Sequence, residues 1–211
     1  EKMSMILKSL SRNTSSAVSL KTIVKDIAEF SSEEERIKNV ETISDYISVL
    51  DDLYLTSYQK AFNINYRSSD RIGKGSKRHL VDPSLACASL NLTPNKLLKD
   101  MNTFGLIFES LVYRDLNIYM NYLDGNVFHF RDNISGDEVD AILEMPDGEY
   151  AAVEVKLGFD RIPEGITSLM KFYNNVKVKP KFMCVISGNV KAAYVDKETG
   201  IYVVPLTTLK P

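Results

Sequence analysis

The sequence predicts an α+β fold in two modules, and three observations carry that reading. Short amphipathic helices are followed by a β-ribbon; the later chain alternates helical and strand periods in the order αβββαβ; and charged residues sit inside strands that otherwise look built to be buried. With 211 residues and 44% hydrophobic content the chain carries enough apolar material for one large core or two small ones. The modules are expected to span residues 1–79 and 80–211.

"MSMILKSL" opens the first module as a helix. In "SLKTIVKDIA" the apolar residues Leu20, Ile23, Val24, Ile27 and Ala28 recur at helical spacing, with Ser19 placed as N-cap. A third helix runs through "SSEEERIKNVETISDYISVLDDL", capped near Ser31 or Ser32, with Val40, Ile43, Ile47 and Leu50 as its stripe. "YLTSYQKAF" then alternates like a strand, and "NINYRSSDRIGKGSKRH" reads as a polar loop or hairpin. Three short helices and a ribbon are the order of a winged helix, which often sets its third helix in the DNA major groove. Here that helix carries Glu33, Glu34, Glu35, Glu41, Asp45, Asp51 and Asp52 against Arg36 and Lys38, a balance that repels phosphates. Arg67, Arg71, Lys74, Lys77 and Arg78 in the ribbon loop could touch a phosphate backbone, with a solvated charged face as the plain alternative. "GKGSK" lacks the G-x-x-x-x-G-K-[ST] spacing, so no nucleotide site is expected there.

The second module begins near "HLVDPSLACASL". A long helix is expected over about residues 103–121, packing through Phe104, Phe108, Leu111 and Val112. Strands follow at "NVFHFRD", "DEVDAILE" and "EYAAVEVKL", then a helix through "EGITSLMKFYNNV" and the strand "KFMCVIS". That helix is long enough for a right-handed crossover to a parallel strand, so the sheet is mixed. "KAAYVD" and "GIYVVPL" extend it.

Charge and composition exclude several classes. The 26 Lys+Arg stand against 28 Asp+Glu, a net charge of -2, so the chain as a whole is no polybasic nucleic-acid binder. Cys87 and Cys184 match no zinc or redox spacing, which predicts free thiols and a reducing, cytoplasmic setting. No apolar run approaches the ~20 residues of a membrane span. The chain opens on Glu1 and enters a helical pattern at once, which reads as a piece of a longer protein. His79 and His129 have no partner spacing, and Tyr113, Tyr119 and Tyr122 read as packing residues.

The stretch "GDEVDAILEMPDGEYAAVEVKLG" poses the chemical question, because Asp140, Glu154 and Lys156 alternate with Ala, Val, Ile and Leu. Charged groups at half-buried strand positions are costly unless they are paired, bind a metal or do chemistry. If "PDG" is a three-residue hairpin loop with Gly148 left-handed, Met145 pairs with Glu149 and counting back sets Asp140 opposite Glu154. Opposed residues share a face with Cβ atoms about 5 Å apart, so the two carboxylates converge. Lys156 shares that face, opposite Glu138. A divalent cation would relieve the repulsion of the carboxylates, and oxygen-only ligands suit Mg²⁺ or Mn²⁺ better than zinc. Lys156 would then orient or deprotonate an attacking water. Glu109, beside Phe108 on the long helix, borders the packed face and could reach such a site. The competing reading is an ion-pair ladder of Glu138, Asp140, Glu154 and Lys156 on a wet strand face.

With these elements in order, the second module resembles the PD-(D/E)XK nuclease-like fold: a helix glutamate (Glu109), a strand aspartate (Asp140), then Glu154-Val155-Lys156 after a hairpin. The resemblance is closer still to one branch, the domain of unknown function found C-terminal to the ATPase module of many bacterial and archaeal AAA-type ATPases. The branch pattern reads here as "KRHLVDPSL" (Lys77 to Leu85), "GLIFE" (Gly105 to Glu109), "FRD" (Phe130 to Asp132), "EVD" (Glu138 to Asp140) and "EVK" (Glu154 to Lys156), which covers nearly the whole chain. Ser84 stands where the branch usually has Gly, a departure that touches a turn.

The resemblance implies that Asp140, Glu154 and the Val155 carbonyl ligate Mg²⁺ or Mn²⁺, that Lys156 assists the nucleophilic water and that Glu109 completes the site. It also implies an upstream ATPase domain that binds ATP. The expected activity is metal-dependent cleavage of DNA or RNA. The alternative is a non-catalytic module of that ATPase, binding nucleic acid, a protein partner or another copy of itself. Residues 80–211 carry 13 Lys+Arg against 17 Asp+Glu, net -4, which argues against a strongly basic DNA channel.

Overall fold

The computed structural model describes residues 2–30, 39–63, 65, 67, 75–132 and 135–210. It is a mixed α+β protein whose chain gathers into two compact units, Glu1–Gln59 with Gly75–Ser110 and Lys60–Lys74 with Leu111–Pro211.

The first unit rests on α1 (Lys2–Arg12), α2 (Leu20–Phe30) and α3 (Val40–Asp52). Spacings of three and four put Ile6, Leu10, Ile23, Ile27, Ile43, Ile47 and Leu50 on their inner faces, and all seven are buried together. At the start of α2, Ser19 Oγ accepts the Thr22 N–H at 3.2 Å, the expected cap. The described α3 is capped by Asn39, whose side-chain oxygen accepts the Glu41 N–H at 3.0 Å. Asn39 has the extended backbone a cap requires, so it takes the role expected of Ser31 or Ser32. Those two serines, with Glu33, Glu34, Glu35, Arg36 and Lys38, lie outside the described residues.

β1 (Thr56–Ala61) pairs antiparallel with β2 (Lys77–Leu80), Thr56 opposite Leu80. The Tyr58 hydroxyl donates to both oxygens of Asp51, at 2.9 and 3.0 Å, and ties the ribbon to the end of α3. Two short helices follow, α4 (Pro83–Ser89) capped by Asp82 and α5 (Pro94–Leu97) capped by Thr93, before the long α6 (Met101–Tyr122). Leu80, Ala86 and Ile107 close a second small core. The same unit holds a buried polar cluster of Gln59, His79 and Ser110. Gln59 Oε1 faces His79 Nε2 at 3.3 Å, so Nε2 carries the proton and Nδ1 is left to accept from Ser110 Oγ at 3.2 Å. His79 is therefore a buried histidine with a partner on each ring nitrogen.

The second unit is a mixed sheet with one helix across it. Its strands are β3 (Asn126–Arg131), β4 (Glu138–Glu144), β5 (Tyr150–Lys156), β6 (Met183–Ser187), β7 (Tyr194–Val195) and β8 (Tyr202–Pro205), in the order β3-β4-β5-β6-β8-β7. β3, β4 and β5 pair antiparallel; β6 lies parallel to both β5 and β8; and β7 pairs antiparallel with β8. Lys60 and Ala61, the last residues of β1, run parallel to β3. α7 (Ile162–Asn175) carries the crossover from β5 to β6, and Ile162, Leu169 and Phe172 bury against Val139, Ile142, Ala152 and Val185 of the sheet. Phe172 meets Phe130 edge-on at 4.9 Å between ring centroids.

Two backbone features shape the middle of this sheet. The hairpin between β4 and β5 has the anticipated three-residue loop: Met145 donates its N–H to Glu149 O at 2.8 Å, Gly148 donates to Met145 O at 2.9 Å, and Gly148 has φ 84°. The second feature corrects the strict alternation expected of "DEVDAILE". Phe128 stands opposite Ile142 but Phe130 stands opposite Val139, so two residues, Asp140 and Ala141, face the single residue His129. That is a β-bulge. It lets Val139 and Ile142, three positions apart, both enter the core under α7.

Among the described residues no helix is long and apolar enough to cross a membrane. Both cysteines are free, Cys184 buried in β6 and Cys87 partly exposed in α4.

Candidate functional site

The paired strands β4 and β5 follow the anticipated register from Glu144 opposite Tyr150 to Ala141 opposite Val153. One step further, where Asp140 would face Glu154, main-chain pairing stops and a side chain takes over. Val155 donates its N–H to Asp140 Oδ2 at 2.8 Å. The bulge supplies the extra residue that aims Asp140 there. A carboxylate accepting a main-chain N–H is held more firmly than a surface acid, because the charge-assisted bond replaces a ladder bond the strand would otherwise make.

Glu154 is the deepest charged residue of the segment. Its side chain is 3% exposed, and Oε2 lies 2.9 Å from Lys156 Nζ. The two alternate along β5 with the period of two that puts them on one face. Lys156 is held from above as well. A Cβ at Gly165, in the first turns of α7, would come within 3.2 Å of Lys156 Cγ and 3.3 Å of Val185 Cγ2. Glycine at 165 is what lets α7 come down on the lysine stem.

Asp140, Glu154 and Lys156 line one cavity of about 260 Å³. Gly136, Asp137 and Glu138 from the turn into β4 complete one wall, and Ser168 and Lys171 of α7 the other. Asp137 is fixed by Ser135 Oγ at 2.8 Å and by Asn175 Nδ2 at 2.9 Å. Glu138 stands opposite Arg131 across the β3–β4 ladder.

The remaining expected site residues fall elsewhere. Glu109 belongs to the first unit, where Oε1 accepts from Lys77 Nζ at 2.8 Å. Lys77 is correspondingly buried, its side chain 5% exposed, which corrects the expectation that it sits on a solvent-facing loop. A buried ammonium needs such a partner. Arg78 donates from a guanidinium nitrogen to Val18 O at 2.6 Å, and Ser16 bridges to it through the main chain. Arg67 is exposed, with its N–H on Asn65 Oδ1 at 3.0 Å. Arg71 and Lys74 lie outside the described residues.

Sequence reasoning missed Asp137, Ser168 and Lys171. The signal for the last two was present: they border the packing stripe Gly165, Leu169 and Phe172 of α7, on the side that follows the crossover over β5.

The donor set fits a hard divalent cation in part. Asp140 and Glu154 offer carboxylate oxygens into one cavity, and Mg²⁺ typically takes one or two carboxylates and keeps several waters. Among the described residues no cluster of three or more His, Cys, Asp or Glu is arranged to hold a metal ion, so the two carboxylates would have to suffice.

Comparison with known proteins bears on both halves of the chain. The family described as Domain of unknown function (DUF4143), a domain found in AAA-ATPase-associated proteins, matches residues 104–209, just over half of the 211 residues. A second, Domain of unknown function (DUF8612), matches residues 1–96. No curated protein matches. Among solved structures the chain is similar to one from the tetradecameric assembly of Thermococcus gammatolerans McrB AAA+ hexamers with bound McrC, at 11% identity and a TM-score of 0.32. That likeness covers 86% of this chain and 65% of the other, so the chain spans about two thirds of that chain's length.

Proposed function

The chain belongs to the DUF4143 family, and from that premise we propose that it is the nuclease-like module of a AAA-type ATPase, a divalent-metal-dependent phosphodiesterase for DNA or RNA. In this reading residues 1–79 are winged-helix-like and residues 80–211 form a PD-(D/E)XK nuclease-like domain, although residues 75–110 gather with the first compact unit. ATP binding and hydrolysis belong to a partner ATPase domain, and the setting is the cytoplasm.

The observation that carries the reading is the lining of the 260 Å³ cavity by Asp140, Glu154 and Lys156 together. Asp140, Glu154 and the Val155 carbonyl would hold Mg²⁺ or Mn²⁺, which when bound would polarise a phosphoryl oxygen and acidify a water. Lys156, its stem packed under Gly165, presents its side-chain nitrogen where the ammonium can orient that water, or where the neutral amine, once it has given up its own proton, can take the water's. Val155 N–H fixes Asp140 so that the carboxylate needs no reorganisation. Glu109, which accepts from Lys77 in the first unit, is the fourth residue that the family resemblance assigns to the set.

A second reading has one observation in its favour. The outer face of α3 presents Glu41, Asp45 and Asp52, and the segment 40–54 contains no Lys or Arg. Such a face repels phosphates and suits a protein contact, which favours a non-catalytic regulatory module with nucleic acid excluded from that helix. Supercoiled plasmid and labelled single strands, incubated with Mg²⁺ and then Mn²⁺, separate the two readings with Lys156→Ala as paired control. Cutting that disappears in the variant supports the nuclease; no cutting, or equal cutting by both proteins, supports the regulatory module.

A further inference from the structure

The cavity holds a cation that its own acids do not claim. Three of the four carboxylates on the wall have a donor of their own: Asp140 has Val155 N–H, Glu154 has Lys156, and Asp137 has Ser135 and Asn175. Glu138 faces Arg131 across the strands. Lys171, by contrast, makes no ion pair among the described residues although it lines the same cavity as these acids. Lys171 instead adds a second lysine to a wall made mostly of acids. Ser168, one turn before it, brings a hydroxyl to the same wall.

We propose that Lys171, with Ser168 beside it on α7, binds a phosphate of a nucleic-acid strand next to the carboxylate pair of β4 and β5. The assignment rests on the nuclease reading above and adds to it the surface that receives substrate. It also answers an electrostatic difficulty of that reading. The cavity wall carries four acids against two lysines, and Lys156 is engaged with Glu154. A phosphate approaching from the sheet side meets repulsion, whereas one approaching along α7 meets Lys171 first. A cavity of 260 Å³ lies just below the usual range for small-molecule pockets, ~300–1,000 Å³. It admits a phosphate and its immediate neighbours, and this favours a single strand over a duplex.

The test is fluorescence anisotropy of a labelled single-stranded oligonucleotide, and of the same sequence as a duplex. Each is titrated with the 211-residue chain in Ca²⁺, so that binding is read in place of cleavage. Lys171 is exposed, so Lys171→Ala leaves the core intact. The proposal expects the single strand to bind more tightly than the duplex and Lys171→Ala to weaken it severalfold. It also expects the slope of log Kd against log salt to fall by about 0.7, and Lys171→Arg to recover both. Equal affinity and equal salt slope for the native chain and Lys171→Ala would overturn the phosphate contact while leaving the nuclease reading in place. If the native chain binds neither probe, with or without Ca²⁺, the nuclease reading fails and the contact fails with it.

Discussion

Asp140 and Val155 are joined across the end of the β4–β5 ladder, Val155 N–H donating to Asp140 Oδ2 at 2.8 Å. The aspartate thus has two separable jobs, a structural one through its oxygen and a chemical one through its charge. Asp140→Asn keeps an acceptor for Val155, while Asp140→Ala leaves that N–H without one, at a cost of about 1–3 kcal/mol. Thermal melts with and without Mn²⁺ distinguish the roles. The native chain should gain stability with metal, about 2.7 kcal/mol at a hundredfold excess over Kd. Asp140→Asn should melt near the native temperature yet lose that gain, and Asp140→Ala should lose both. A metal response that survives in Asp140→Asn would remove the aspartate from the ligand set.

The Lys77–Glu109 pair makes a prediction about stability in the first unit. Both partners are largely withdrawn from water, at 5% and 18% side-chain exposure. Removing one member strands the other's charge, which costs about 3–5 kcal/mol. Lys77→Met and Glu109→Gln should each lower the denaturation midpoint strongly, and the double variant should lose much less than the sum. Additive losses in urea melts would show that the two groups do not depend on each other.

Alkaline unfolding should report Cys184. Burial in β6 pushes its thiol up to about 12, from about 9 in an open chain. The folded thiol therefore stays protonated while the unfolded one ionises, so stability is full below pH 9, falls between pH 9 and about 12, and levels off above that. Burial likewise lifts the Tyr150 hydroxyl to about 12, and that group weakens the fold above pH 10. Cys184→Ala should remove the decline between pH 9 and 10 and make it shallower between pH 10 and 12, where Tyr150 still contributes. At pH 8 a thiol reagent should label Cys87, which is partly exposed, well before Cys184. Rapid labelling of Cys184 in the folded chain would contradict its burial.

Much of this arrangement was legible in the chain because it rests on local rules. The "PDG" loop, with glycine where a left-handed residue is needed, fixed the hairpin and its register as far as Ala141 opposite Val153. The helical spacing of Leu20, Ile23, Val24 and Ile27 located α2, and the length of "EGITSLMKFYNNV" located the crossover. What escaped depends on tertiary packing. The bulge at Asp140 and Ala141 answers the need to bury both Val139 and Ile142, and no turn residue announces it. Lys77 and Glu109 are 32 positions apart and meet only because β2 and the start of α6 belong to one unit. Tyr122, expected to pack with Tyr113, is instead 81% exposed at the end of α6, where the helical pattern no longer has a core to face.

The close approach of Gly165 to the stem of Lys156 has a consequence for descent with modification. Position 165 is tight for any larger side chain, since both Lys156 Cγ and Val185 Cγ2 would have to give way to a Cβ there. Should a lineage lose the lysine and the chemistry it serves, the crowding at 165 would ease on that side, leaving Val185 Cγ2 as the remaining close neighbour, and alanine, a better helix former by about 1 kcal/mol, would meet less resistance. The two positions are therefore expected to drift together, so that a small residue retained at 165 marks the homologues in which the lysine still has work to do.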